Sequence, residues 1–229
     1  MIITDRTISI LKNFSAINPS IVLKQGEYIH TVSEDGSLYA EASTTENFPC
    51  EVGIYRLKEF INLMTIDKKA IAKITFEEDH CMIKSGEAEV KYVYDDVSLI
   101  NTPSGRPKEA EEQAWFFMEW ADIKRIMSMT AALKYENITL TIEGGMAKFS
   151  AHEQNQHIDS SSVEMKIAEP VNCEANLEVQ YTLRLEHFKK LIQSDYMVRV
   201  YDGRRVMFGS DNKVDYHMIA KKDSTMRIL

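Results

Sequence analysis

Apolar residues along this chain recur with two spacings that alternate in a regular order. Four stretches place them every three or four positions, which is the period of a helix with one buried face. Between these stretches, apolar and polar residues alternate, as they do in strands with one buried face. The same order, a short strand, a helix and three further strands, occurs four times. The pattern therefore predicts an α+β protein made of four similar βαβββ units.

Local signals mark where the predicted helices begin and end. In the first helix, Thr4 or Asp5 is the expected N-cap, and Pro19 stops the helix after Asn18. Each helix carries an apolar stripe, and lysine or arginine lies on the opposite face. The predicted helical spans are 7–18, 56–64, 120–134 and 185–192.

The predicted strands fill the segments between the helices and are separated by turns. Pairs such as Gly144-Gly145 are strong signals for a hairpin turn. We expect 170–174 to be a loop. The predicted strands are 21–24, 28–32, 38–43, 51–55, 70–76, 81–85, 88–94, 115–118, 138–142, 146–151, 157–167, 179–183, 196–201, 206–209 and 214–220.

The apolar periodicity disappears between Val97 and Ala114, where prolines and a glycine are followed by a charged run. Such a composition is typical of a linker between domains. Two βαβββ units in each domain would place a pair of helices on one face of an antiparallel sheet. The expected organisation is one domain at 1–100, a connector at 101–114 and a second, similar domain at 115–229.

Charge is distributed unevenly between the predicted helices and the rest of the chain. The 229 residues carry a net charge of −8, which argues against a general nucleic-acid-binding protein. The helical spans nevertheless hold eight basic and three acidic residues, a net charge of +5, which leaves −13 elsewhere. Ordinary solvated helix faces are one explanation. The other is that a polyanion meets the helices only, through sequence-independent contacts with phosphates.

Three segments of the first half resemble the sliding clamps of tailed bacteriophages, which belong to the ring-shaped sliding clamp superfamily. The resemblance is dense over residues 8–64. After the connector it consists mainly of the repeated plan, together with 223–225 near the C-terminus. The three segments are Leu11–Asn18, Tyr39–Ala42, and Val52–Tyr55 with Leu57 and Phe60.

The resemblance implies the DNA clamp fold and a DNA polymerase processivity factor. It implies a homotrimeric ring with two similar domains in each subunit, the helices lining the hole and the sheets outside. The implied partners are encircled double-stranded DNA, a replicative DNA polymerase, a clamp-loader ATPase and further copies of the chain. The sequence has no Gly-x-x-x-x-Gly-Lys-Ser/Thr phosphate loop, so we expect the ATPase to be a separate protein.

Helix dimensions favour a trimer independently of the resemblance. Twelve helices, each ~10 Å wide, form a circle with a diameter of ~38 Å, which leaves a hole of ~28 Å. A DNA duplex is roughly 20 Å across. The eight helices of a dimer would leave only about 15 Å. Closure of such a ring would also pair edge strands of neighbouring subunits, which protects those edges from aggregation.

The candidate DNA-facing residues are the cations on the polar faces of the helices. Lys12 lies inside a segment that carries the resemblance, and the others follow from helix phase alone. Weak attraction for phosphates would centre the duplex, whereas tight contacts with bases would prevent sliding. The candidates are Lys12, Lys58, Lys124, Arg125, Lys134, Lys189 and Lys190.

Apolar residues near the connector and on the last strand are candidates for a partner-peptide pocket. The resemblance implies that such a pocket captures the tail peptide of a polymerase. The alternative is that these residues seal the junction of the two domains. The candidates are Val97, Leu99, Ile100, Met218 and Ala220.

Other functions have weaker support in the sequence. Asp95 and Asp96 would suit a metal-dependent hydrolase, but aspartate is also common in turns at strand ends. A non-catalytic, β-rich interaction or structural protein of a phage particle is a further alternative. We expect no enzymatic activity, no metal site and no cofactor.

Features of membrane or secreted proteins are weak in this chain. Its apolar runs are shorter than the ~20 residues of a membrane span, and the N-terminus has no signal-peptide pattern. We therefore expect no membrane partner and a cytoplasmic location, which is the host cytoplasm if a phage encodes the protein.

Overall fold

The computed structural model describes residues 1–67, 72–103, 105–152, 161–167 and 170–228. The chain divides into two compact units, unit 1 at Met1–Arg106 and unit 2 at Pro107–Leu229. The division falls inside 101–114, the segment that the sequence predicts as a connector.

In the described part of unit 1, two α-helices contact each other. Helix α1, Asp5–Ile17, begins where the Thr4 hydroxyl accepts a hydrogen bond from the Thr7 amide at 3.3 Å, so Thr4 is the N-cap. Pro19 follows directly after the C-cap residue. Helix α2 spans Leu57–Met64. Their buried apolar stripes consist of Ile8, Ile10, Leu11, Phe14 and Ile17 in α1 and Leu57, Phe60, Ile61 and Met64 in α2.

The strands of unit 1 pair antiparallel in three groups. In chain order they are β1 (Ile21–Leu23), β2 (Gly26–Val32), β3 (Leu38–Phe48), β4 (Val52–Ile54), β5 (Lys73–Phe76), β6 (His80–Ser85) and β7 (Ala88–Val93). Strand β1 pairs with β4, β2 pairs with β3, and β5, β6 and β7 lie side by side in that order. A 3₁₀ turn, Val97–Leu99, follows β7.

Unit 2 has the same kinds of element in two larger groups. Helix α3 spans Trp120–Ala132 and contacts helix α4, Leu185–Phe188. The strands are β8 (Glu112–Met118), β9 (Asn137–Glu143), β10 (Met146–His152), β11 (Ser162–Lys166), β12 (Asn172–Cys173), β13 (Leu177–Arg184), β14 (Tyr196–Tyr201), β15 (Arg205–Ser210), β16 (Val214–Ile219) and β17 (Thr225–Ile228). One group has the order β11-β10-β9-β13-β17, and the other has the order β12-β8-β14-β15-β16.

A chain of aromatic side chains forms the centre of unit 2. Phe188 of α4 lies between Phe149 of β10 and Phe208 of β15, with ring centroids 6.2 Å and 5.5 Å away. Tyr196 continues the chain to Tyr216, and all five rings are fully buried. These edge-to-face contacts explain how a helix of one turn is held in place between the two groups of strands.

The two units repeat the same connection between their helices. In unit 1 the Leu57 amide, at the start of α2, donates to the Pro19 carbonyl at 2.9 Å. In unit 2 the Leu185 amide, at the start of α4, donates to the Glu136 carbonyl at 2.8 Å. Each bond joins the start of the second helix to the segment that follows the first. This equivalence supports the predicted duplication of the βαβββ plan.

Helix α4 is shorter than the predicted span 185–192, which is wrong beyond Phe188. The amides of Lys190 and Leu191 donate to the carbonyls of His187 and Phe188, three residues earlier, at 3.0 and 3.2 Å. The backbone therefore tightens into 3₁₀-type turns after one α-helical turn.

Strand β3 extends beyond the predicted end at residue 43. Its last five residues are mostly polar, but Thr44 and Glu46 are buried. Burial alternates here without an alternation of apolar residues, so the sequence pattern hides the strand. Strand β8 likewise begins at Glu112, inside the predicted connector.

Two short edge strands have no signal in the sequence. Strand β12 lies in the predicted loop at 170–174 and pairs with β8 over two residues, and β17 pairs with β13. Both depend on partners that are distant in the chain. Parts of two predicted strands, 70–71 and 157–160, lie outside the described residues.

Candidate nucleic-acid interface and connector

Helix α1 carries Lys12 on its exposed face. Ser9 and Ala16, close to it along the same face, are exposed too, whereas Phe14 is fully buried. Small neighbours make Lys12 the projecting cation of this face. Asp5 lies at the N-terminal end of the face, where its carboxylate interacts favourably with the positive end of the helix dipole.

Helix α2 exposes Lys58, as predicted from helix phase. Its neighbour Arg56 is the N-cap residue and forms an ion pair with Glu59 at 3.3 Å, with both side chains largely exposed. The charge of Arg56 is therefore partly neutralised within the same turn, and Lys58 is left as the main cation of α2.

Helix α3 exposes two consecutive cations, Lys124 and Arg125. Ile123 and Ile126, on either side of them, are fully buried. Burial of these two isoleucines fixes the rotation of the helix and turns the cations outward.

The remaining three candidates lie outside the helices. Lys134 follows the C-cap of α3 in a left-handed conformation, with φ of 58°. Lys189 is the C-cap of α4, and Lys190 lies in the turn that follows. Cations at helix C-termini interact favourably with the last carbonyl groups, so each has a local role besides any contact with DNA.

The helices carry less positive charge than the sequence predicts. Their actual bounds enclose five basic and four acidic residues, a net charge of +1. The predicted excess of +5 is wrong because α2 begins after Arg56 and because α3 and α4 end before Lys134, Lys189 and Lys190. Helix α1 begins earlier than predicted and gains Asp5 and Arg6, whose charges cancel. The cations cluster around the helix ends as much as along the helix faces.

Burial divides the five candidates for a partner-peptide pocket. Val97 and Leu99 are exposed, at 38% and 73% of their surface. Ile100, Met218 and Ala220 are buried, at 5% or less. Only the first two therefore present apolar surface to a partner, and the pocket stays a prediction that rests on them.

A surface cavity of about 410 Å³ in unit 1 includes Leu99 in its lining. Tyr55, which is 55% exposed, and Pro19 contribute further apolar surface, and Lys58 lies on the same rim. The sequence pattern did not single out Tyr55, because an exposed aromatic residue at the end of a strand is indistinguishable from a buried one in sequence.

The two aspartates of the hydrolase alternative have local roles. The carboxylate of Asp95 accepts hydrogen bonds from the Tyr55 amide at 2.8 Å and the Tyr92 hydroxyl at 3.2 Å. Asp96 caps the 3₁₀ turn by accepting from the Ser98 amide at 2.9 Å. That bond favours the charged carboxylate and lowers the pKa of Asp96.

Two kinds of feature are absent from the described residues. There, no group of three or more His, Cys, Asp or Glu side chains is arranged to hold a metal ion. Over the same ranges, no helix combines the length and apolar character needed to cross a membrane.

Comparison with solved structures defines the fold. The chain superposes on the proliferating cellular nuclear antigen of Entamoeba histolytica with a TM-score of 0.69 and 10% identity, covering 93% of this chain and 94% of that one. The A. fulgidus PCNA bound to a FEN-1 C-terminal region gives a TM-score of 0.70 and 16% identity, with 98% of both chains covered. The protein therefore has the DNA clamp fold, in the α+β form that the sequence predicts.

Sequence comparison adds a family match and similar phage proteins to this likeness in fold. Residues 4–100 match the DNA polymerase processivity factor family. The sliding clamp of Vibrio phage KVP40 is 22% identical over 200 residues, which are 85% of this chain and 88% of that protein. The sliding clamp of Escherichia phage RB69 is 27% identical over 140 residues, which are 61% of each. The chain is thus similar in sequence to the phage sliding clamps, and the family match falls in its first half.

Proposed function

We propose that this protein is a DNA polymerase sliding clamp, a ring that encircles duplex DNA without sequence specificity and tethers a replicative polymerase. The agreement of two observations carries this proposal. The clamp fold covers nearly the whole chain, and the region at 4–100 matches the processivity factor family. Such a protein acts by enclosure and position, without catalytic residues or a cofactor.

The number of subunits follows from the size of the hole. The described residues contain four α-helices, so three copies supply twelve and leave a hole of ~28 Å. The short helix α4 fills its place in this circle as well as a longer helix would, because the width of a helix does not depend on its length. A homotrimer is therefore the assembly that suits a duplex.

Two edge strands are suited to join neighbouring subunits. Among the described residues, β7 pairs only with β6, and β11 pairs only with β10. In both strands the inward residues face the helices, since Tyr92 of β7 contacts Phe60 of α2 and β11 contacts α3. Pairing β7 of one subunit with β11 of the next would therefore continue the sheet with all helices on one side.

The charges of the two strands favour an antiparallel register. Aligning Glu89 with Lys166 also aligns Lys91 with Glu164, which places opposite charges together on the exposed face. The same register places Tyr92 against Val163 on the inward face. A parallel alignment of the same residues would place like charges together, which is destabilising.

The DNA contacts that we propose are few and electrostatic. Lys12, Lys58, Lys124 and Arg125 are exposed on helices and would meet phosphates across the hole. Lys134, Lys189 and Lys190 would contribute from the helix ends. Because the helices carry a net charge of only +1, attraction is weak, and enclosure rather than affinity keeps the clamp on DNA.

Two protein partners complete the proposal. A clamp-loader ATPase opens the ring, since the sequence has no phosphate loop of its own. A replicative polymerase binds near the connector, where Val97 and Leu99 are exposed. The protein works where DNA is replicated, in the cytoplasm of the host cell.

The mass of the protein in solution tests the assembly. Three copies of the 26.3 kDa chain give a ring of about 79 kDa, which light scattering during gel filtration measures directly. A mass of one chain at micromolar concentration would contradict the trimer, and a mass of two chains would contradict the estimate of the hole.

A further inference from the structure

The segment that leads from β7 into the connector is tied to β4. The Asp95 amide donates to the Gly53 carbonyl at 3.0 Å, and the Asp95 carboxylate accepts from the Tyr55 amide at 2.8 Å. A side chain at Gly53 would overlap the Asp95 carbonyl and would crowd Ile100. The close approach of the two backbones therefore requires glycine at position 53.

Asn18 ties the next part of this segment to the end of α1. Its amide nitrogen donates to the carbonyl of Asn101 at 3.1 Å and to that of Val32 at 3.0 Å. Its amide oxygen accepts from the backbone and the hydroxyl of Ser20, at 3.0 and 2.9 Å. The side chain is buried, at 3% exposure, and a buried amide with all these partners specifies one arrangement of them.

Arg106 ties the end of the segment to the hairpin of β2 and β3. Its guanidinium donates to the Glu41 carboxylate at 3.0 Å and stacks over the Tyr28 ring at 4.6 Å from the centroid. The Tyr39 hydroxyl donates to the same carboxylate oxygen at 2.8 Å. Because the Glu41 side chain is only 17% exposed, this ion pair is less screened by water than an ordinary surface pair.

The three ties come from the three segments that resemble phage clamps. Asn18 ends the first segment, Glu41 lies in the second, and Gly53 and Tyr55 lie in the third. These segments are separate in the chain and share no helix or strand. In the structure all three contact residues 95–103 and 105–106, which we call the strap.

We propose that Asn18 and the Glu41–Arg106 pair are positioning residues that fix the strap to unit 1 before any partner binds. The exposed Val97 and Leu99 lie on the strap between the ties at Asp95 and Asn101. A fixed strap presents them in one conformation, so that a partner loses little entropy in ordering them. This consequence for partners rests on the proposed function, whereas the fixing of the strap does not.

Hydrogen exchange of the purified, full-length protein tests the fixing of the strap. Arg106→Gln removes the ion pair and the stacking, and we expect the amides of the strap from Val97 onward to exchange at least about tenfold faster, as for the loss of one charged hydrogen bond. Arg106→Lys keeps the ion pair alone and should give an intermediate rate. Lys108→Gln, the control, removes the same charge two residues away and should leave the rate unchanged.

Asn18→Asp tests the other tie, because aspartate keeps the acceptor for Ser20 and loses both donated bonds. We expect faster exchange in the strap, with Asn62→Asp on the exposed side of α2 as the control. If Asn18→Asp does not fold, Arg106→Gln decides, since its side chain is 59% exposed. Exchange of the wild-type strap at the rate of an unfolded chain, or no change in Arg106→Gln, would overturn the proposal.

Primer extension separates this proposal from the proposed function. With the cognate polymerase, Arg106→Gln should raise the half-saturating clamp concentration and leave the product length at saturation unchanged. Unchanged half-saturation together with faster exchange would show that the strap is fixed without effect on the polymerase, which overturns the consequence for partners. A wild-type protein that gives no stimulation overturns the proposed function and leaves the exchange result standing.

Discussion

Glu46 shows how one residue can join distant parts of unit 1. Its carboxylate accepts hydrogen bonds from the Thr4 amide at 2.5 Å and the Thr7 hydroxyl at 2.6 Å, and it is only 6% exposed. These donors belong to the first turn of α1, whereas Glu46 lies on β3. A buried carboxylate at a helix N-terminus satisfies amides that the helix itself leaves unpaired.

Replacement of Glu46 by glutamine should destabilise unit 1 by about 1–3 kcal/mol near neutral pH, because a neutral amide cannot accept both bonds as a carboxylate does. Urea unfolding measures this decrease in stability. Glu51→Gln, at an exposed position nearby, is the matched control and should change little. Equal stability of Glu46→Gln and wild type would contradict the role of the carboxylate.

The same residue predicts a pH dependence. Burial alone would raise the pKa of Glu46, but hydrogen bonds from Thr4 and Thr7 outweigh burial and hold the pKa below its usual value of 4.5. A lowered pKa stabilises the fold above the usual value, and this stabilisation is lost as pH falls through the lowered pKa. The difference between wild type and Glu46→Gln should therefore be constant above about pH 5 and shrink at lower pH.

At the scale of elements, the sequence predicts helices and strands that have a local pattern of residues. It misses strands that form only because a distant strand pairs with them. Helix α1 has a cap, an apolar stripe and a terminating proline, and all three are confirmed. Helix α4 has a stripe but no local stop signal, so its end after Phe188 is visible only in the hydrogen bonds. Strands β12 and β17 exist because distant strands pair with them, and no local pattern reports such a partner.

The proposed edge pairing of β7 and β11 makes a prediction for one pair of charges. Glu89→Lys would place a lysine opposite Lys166 and should weaken the trimer, with a fall of the measured mass toward 26.3 kDa on dilution. Adding Lys166→Glu should restore the mass, because the pair is then reversed rather than broken.

Glu87→Lys makes the same change of charge in the turn before β7 and is the control. If the double variant dissociated as readily as Glu89→Lys, the proposed register would be wrong. If Glu89→Lys left the mass unchanged, the proposed edge pairing itself would be wrong.

At the scale of the whole molecule, a net charge of −8 repels DNA, whereas the exposed cations on the helices attract its phosphates locally. Replacing Lys58 and Lys124 by glutamine should reduce the salt dependence of binding to a short duplex by about 0.9 for each phosphate that is no longer neutralised. Fluorescence anisotropy at several salt concentrations measures this slope. Lys84→Gln on β6, an exposed lysine away from the helices, should leave it unchanged.

The sequence predicted which side chains of the candidate site are exposed better than it predicted the long-range hydrogen bonds that hold the connector in place. Exposure of Lys12, Lys58 and Lys124 follows from helix phase, which neighbouring apolar residues set. The bond from Asn18 to Asn101 joins positions 83 residues apart, and no periodicity links them. Burial of Met218 was equally hidden, because alternation identifies a strand and does not say how completely each of its faces is covered.

The central claim is that the protein holds DNA by enclosing it, and the shape of the DNA tests that claim most directly. Clamp is loaded onto nicked circular plasmid with the cognate loader and ATP, unbound protein is removed by gel filtration, and half of the sample is linearised with a restriction enzyme. We predict that clamp stays on the circles and leaves the linear DNA through its ends. Equal retention on circular and linear DNA would contradict enclosure and would indicate binding by contact alone.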